Sequence, residues 1–141
     1  MKEVKLSFAT LTYKEPIIFI KYRDNVKLDT KEIHELMDGC NTLSGNKPYL
    51  LLVDITNFVD ITPEGSAASV DKKITGNIIA SAPLVKKLGQ RLMSNVFLEV
   101  SRPPYPMRVF NDEKKAIKWL LEQHKKAGSV KDRKVELVER V

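Results

Sequence analysis

The sequence predicts an α/β domain: a mixed sheet of about five strands, an N-terminal antiparallel hairpin followed by parallel strands, flanked by four helices in the order β-β-α-β-α-β-α-β-α. Three observations carry this. Two strand-like runs, 4–13 and 17–20, are separated only by Lys14-Glu15-Pro16, and so short a connection favours an antiparallel pair. The run Tyr49-Leu50-Leu51-Leu52-Val53 is apolar without alternation, as in a strand covered on both faces. Beyond it, short apolar runs alternate with helical segments, which implies parallel pairing through right-handed crossovers.

In the first run Val4, Leu6 and Phe8 alternate with Lys5 and Ser7, the period of a half-buried strand, and Ile17-Ile18-Phe19-Ile20 is β-branched and aromatic. Leu28-Asp29-Thr30-Lys31-Glu32-Ile33 predicts a helix start, with a capping box between Asp29 and Glu32 and a hydrophobic staple between Leu28 and Ile33. Ile33, Leu36, Met37 and Cys40 then form one apolar stripe, so Cys40 is expected in the core. The Gly, Asn, Ser and Pro of residues 39–48 predict a loop before the central strand.

After a short link, Thr62-Pro63-Glu64 offers a hydroxyl cap, a proline at the first helical position and an early acid, predicting a helix to about Lys73 rich in Ala and Ser. Ile78-Ile79-Ala80 supplies the next strand. Pro83 is expected to open a longer helix carrying Leu84, Leu88, Leu92, Val96 and Val100 on one side, with Gly89 packed close to the sheet. Met107-Arg108-Val109-Phe110 is the last predicted strand. Asn111-Asp112-Glu113 caps a final helix whose buried face is Ala116, Ile117, Leu120 and Leu121, with Trp119 beside it.

The 141 residues suit one domain, expected over 1–124, followed by a charged, basic tail over 125–141. The composition, 43% hydrophobic and 30% charged, is that of a globular chain. The formal charge is +6, and the tail carries half of it, with six basic residues against three acidic ones. Asp132, Glu136 and Glu139 interrupt that basic run and no aromatic accompanies it, so nucleic acid is disfavoured as a partner. A single cysteine, the lack of a secretory signal pattern and the lack of a membrane-length apolar segment lead to the expectation of a cytoplasmic protein.

Catalytic chemistry is not indicated. His34 and His124 lie in predicted helices without a nucleophile at motif spacing, no pair has metal-ligand spacing, and no Gly-rich loop follows a strand. The expectation is therefore no enzyme, no metal and no cofactor. Asp54 and Asp60 are candidates to flank a cleft at the carboxyl end of the central strand, where α/β domains bind ligands. Lys86, Lys87 and Arg91, with Arg102 and Arg108, make a basic patch that reads first as a solvated face and second as an anion or partner site.

The stretch Ala82-Pro83-Leu84-Val85-Lys86-Lys87-Leu88-Gly89, Asn95-Val96-Phe97-Leu98, Arg102-Pro103-Pro104-Tyr105-Pro106 and Arg108 through Leu120 resembles the C-terminal half of bacterial STAS/CRAL-TRIO-like (SpoIIAA-like) domains. Leu50 to Asp54 matches that family's central strand, and the likeness runs from about residue 48 to 122. The resemblance implies kinship with anti-sigma-factor antagonists, whose partner-binding switch opens the helix after the central strand with an Asp-Ser pair. Here Ile61 follows Asp60, so that pair is missing, and Thr62 is the hydroxyl that could stand in. Asp60 and Glu64 beside it would repel a phosphate. The switch or partner-binding candidates are thus Asp54, Asp60, Thr62 and Glu64. The expected role is a noncatalytic regulatory or protein-interaction module, its partner another protein or a second copy of the chain. The alternative is a binder of a small apolar or lipid-like ligand held between helix and sheet, with space left by the small-residue helix from Ser66.

Overall fold

The middle of the sheet is built from the apolar run after Pro48. In the computed structural model, which describes residues 2–57, 59–86 and 103–139 with side chains through residue 128, this run is β5 (Tyr49–Asp54). It pairs in parallel with β3 (Ile17–Tyr22) on one side and β7 (Ile78–Leu84) on the other. β3 pairs antiparallel with β2 (Ala9–Lys14), and β2 with β1 (Lys2–Lys5), giving a mixed five-stranded sheet in the order β1-β2-β3-β5-β7.

The segment read as one strand over 4–13 is two. Leu6 N–H donates to the Ala9 carbonyl at 2.8 Å and turns the chain back, so Val4 faces Leu11 across the β1–β2 ladder. A second, two-stranded parallel sheet was not anticipated: β4 (Val26–Leu28) and β6 (Val59–Ile61) pair in register, and β6 occupies part of what was read as a link.

α1 (Thr30–Ser44) starts as the sequence demands. Asp29 accepts from Thr30 N–H at 2.8 Å, Glu32 accepts from Asp29 N–H at 2.9 Å, and Ile33, Leu36, Met37 and Cys40 are all buried. It does not end at the predicted loop. Gly39 lies inside the helix facing Leu11, whose Cδ1 is 2.7 Å from where a Cβ would stand, and the stop signal is Gly45, with a left-handed φ of 65°. The helix predicted to reach Lys73 is also two elements, α2 (Pro63–Ser69) and α3 (Lys72–Thr75). The Asp71 side chain accepts from Lys73 N–H and caps a fresh turn.

Pro83 does not open a helix: β7 continues through it to Leu84. Its missing N–H falls on the outer edge of β7, where Ser81 N–H donates to the Pro106 carbonyl and Val85 N–H to the Phe110 carbonyl. The predicted strand Met107 to Phe110 is reduced to two isolated bridges on that edge, Ser81 to Met107 and Leu84 to Phe110. The rest of the helix expected after Pro83, including Leu88, Gly89, Leu92, Val96 and Val100, lies outside the described residues.

α4 (Glu113–Glu139) is capped by Asp112, which accepts from Lys115 N–H at 3.1 Å, and the backbone stays helical well past residue 124. Ala116 and Leu120 are fully buried, while Ile117 and Trp119 are half-buried. Leu121 is 41% exposed, because the one-helical-turn pair Ala116 and Leu120 takes the centre of the contact and turns Leu121 aside.

Because strand side chains alternate, β5 feeds two cores. Tyr49 and Leu51 join Leu11, Ile18, Ile20 and Ile78 under α1, whereas Leu50 and Leu52 join Ile17, Ala80, Ala82, Ala116 and Leu120 under α4.

Candidate ligand cavity

The α1 face of the sheet is incompletely filled. A cavity of about 470 Å³ lies between α1 (Ile33, Leu36, Met37), the carboxyl halves of β3 and β5 (Tyr22, Leu51, Val53), and the small sheet (Leu28, Val59, Ile61). β7 closes it with Ser81 and Pro83, and the edge segment adds Tyr105 and Met107. This is the carboxyl end of parallel strands, where α/β domains bind ligands. Its volume is within the ordinary range of small-molecule sites, roughly 300–1,000 Å³.

Each polar group on the wall has a local cause. The β5–β7 register sets Ser81 beside Leu51 and Pro83 beside Val53, so Ser81 brings a hydroxyl to an otherwise apolar face. The Tyr105 hydroxyl donates to the Ser69 carbonyl at 3.1 Å, and the Asn57 amide donates to the Tyr22 carbonyl at 3.0 Å. Burial pushes Tyr105 up to about 12 and Tyr22 higher still, with Cys40 and Tyr105 adding to the latter. Both phenols are therefore neutral at physiological pH. Cys40, buried behind the wall in the α1 core, is pushed up to about 12 by the same desolvation, so it is a thiol there.

The predicted site residues are only partly brought together. Thr62 is the N-cap of α2: its hydroxyl accepts from Gly65 N–H at 2.9 Å and donates to Asp29 Oδ1 at 2.8 Å. The phosphoacceptor candidate is thus engaged in both directions, one contact being with a carboxylate. The Thr30 N–H bond, and after it the Thr62 hydroxyl, hold Asp29 below the usual carboxylate value. Gly65 allows this approach, since a Cβ there would stand 2.5 Å from the Leu28 carbonyl.

Asp60 reaches the cavity wall from β6, is exposed, and accepts from Ile61 N–H at 2.9 Å through its carboxylate. Asp54 ends β5 and accepts from Thr56 N–H at 2.9 Å and Thr56 Oγ1 at 2.6 Å, a local turn at the strand end. Glu64 is exposed in the first turn of α2. Of the basic patch, Lys86 is exposed and the Arg108 guanidinium sits 5.2 Å over the Phe110 ring, while Lys87, Arg91 and Arg102 lie outside the described residues. Among the described residues no group of three or more His, Cys, Asp or Glu is placed to hold a metal, and no helix is long and apolar enough to cross a membrane.

Tyr22, Ser81, Tyr105 and Met107 line the cavity without being among the site candidates that the sequence marks. Their only signal was position, near the carboxyl ends of strands or on the β7 edge.

The mixed five-stranded sheet with helices on its faces has the SpoIIAA-like fold. That fold is shared by a solved structure of an uncharacterised DUF3478-family protein from Shewanella loihica PV-4, at 18% identity and a TM-score of 0.55, over 79% of this chain and 91% of that one. The chain belongs to the family described as a domain of unknown function, DUF7793, whose model matches residues 11–124. No curated protein matches it. The STAS-like half of the resemblance is supported, whereas neither likeness reaches to CRAL-TRIO domains.

Proposed function

We propose that this chain is a noncatalytic regulatory module that binds a small apolar or amphiphilic molecule in the cavity under α1. The observation that carries this reading is the cavity itself: about 470 Å³ at the carboxyl ends of β3, β5 and β7, walled mainly by aliphatic side chains, with a few neutral polar groups and the exposed Asp60. The noncatalytic part rests on the sequence, whose two histidines, His34 and His124, lie in helical segments outside any catalytic motif. The regulatory part is supported by continuity, because Val59 and Ile61 line the cavity while the same segment leads into the Thr62 cap. A molecule seated in the cavity therefore bears on the 54–64 surface that the STAS resemblance marks for a protein partner.

Native mass spectrometry of chain purified without organic solvent tests the reading, beside titration with prodan, an uncharged dye that brightens in apolar surroundings. The expected results are a co-purified small molecule or saturable one-to-one dye binding. A lone chain mass with no saturable dye binding overturns it. So does a robust turnover abolished by one substitution between Asp54 and Glu64.

A further inference from the structure

The cavity wall discriminates by charge. Its aliphatic part, Leu28, Ile33, Leu36, Leu51 and Val53, cannot solvate an ion, and its polar part consists of the Ser81, Ser69 and Tyr hydroxyls and the Asn57 amide. Asp60, the one ionised residue on the described wall, is exposed, and its carboxylate accepts from Ile61 N–H at 2.9 Å. Tyr22 and Tyr105 report the consequence: the wall raises the cost of negative charge on both phenols chiefly by desolvation. A ligand carboxylate seated against that wall would meet the same penalty, and an ammonium would find only the exposed Asp60 carboxylate, where an ion pair contributes little.

We infer that the occupant is an uncharged, chiefly apolar compound, rather than a fatty acid, a phosphate-bearing lipid or an amine. This rests on the cavity reading above and adds the occupant's charge. The test is displacement of prodan from the full chain near neutral pH by 1-decanol, decanoate and decylammonium, each below its aggregation threshold. All three carry the same ten-carbon chain and differ in the charge of the head. Decanol is expected to displace the dye at least tenfold more effectively than either ion. It should also lose at least tenfold in two variants that narrow the cavity from different elements, Ser81→Leu and Val59→Trp.

Decanoate or decylammonium matching decanol would overturn the inference and leave the cavity reading standing. Displacement by none of the three, with no saturable dye signal, would overturn both. If decanol displaces equally from wild type and from both variants, with circular dichroism showing them folded, the binding lies elsewhere and the inference falls. Should one variant fail to fold, the other decides.

Discussion

The two faces of the sheet are packed to different standards, although β5 supplies both. Under α4, Ala80, Ala82 and Ala116 are fully buried and let the helix lie close, with Leu50, Leu52 and Leu120 filling what remains. Under α1 the side chains are larger, yet a cavity of about 470 Å³ persists between them. The difference indicates that the α4 face carries stability and the α1 face holds space, and adjacent residues of one strand test it.

The largest effect is expected from Leu52→Ala on the α4 face, about 3–5 kcal/mol, because a closed packing leaves the deleted atoms as a new void. Leu51→Ala, one residue away and equally buried, opens into space already present and should cost about 2–3 kcal/mol. Urea midpoints at unchanged slope measure both. Equal losses would mean that the α1 face is as tightly packed as the other.

The reverse substitution inverts the order. Ala82→Leu forces extra volume between β7 and α4 and should cost about 1–3 kcal/mol. Ser81→Leu, its neighbour on the opposite face, adds similar volume where there is room and should cost clearly less, while blocking the cavity. A Ser81→Leu protein as destabilised as Ala82→Leu would break the contrast.

Much of this contrast was legible in the sequence, and the rest was hidden for identifiable reasons. The unbroken run Tyr49 to Val53 announced a strand with two covered faces, and the Asp29–Glu32 and Thr62–Pro63 caps fell where they were expected. β4 and β6 were missed because three residues, Val26-Lys27-Leu28 or Val59-Asp60-Ile61, show too little alternation to stand out. Pro83 misled because proline suits the first turn of a helix, and only the pairing around β7 reveals that its lost donor faces an edge. The site candidates were read from charged and hydroxyl residues, whereas the cavity is made by Tyr22, Ser81 and Tyr105. These are far apart in the chain and meet only through strand order.

Thr62→Ala tests the join between the faces' connecting segments at a smaller scale. Loss of the cap on Gly65 N–H should cost about 1 kcal/mol in the chemical midpoint, and Thr62→Ser should recover most of it. If serine fails to recover it, the threonine methyl rather than the hydroxyl holds α2.

The smallest effect concerns Asp29, the carboxylate that serves two helices at once by capping α1 and accepting from the Thr62 hydroxyl of α2. Both bonds favour the ionised form, so the folded protein holds this group below its ordinary value of 3.8. A depressed carboxylate contributes stability that is fully present above the unfolded value and is lost as pH falls through the lower, folded one. Asp29→Asn keeps an acceptor at the cap but cannot titrate. The gap in urea midpoint between wild type and Asp29→Asn should therefore be constant from about pH 7 to about pH 5 and close below the ordinary carboxylate value. Because Asp29 is exposed, the gap should also shrink with added salt. A gap that persists unchanged at about pH 2 would show that the shared carboxylate acts through shape alone, and that its charge does not link the start of α1 to the start of α2.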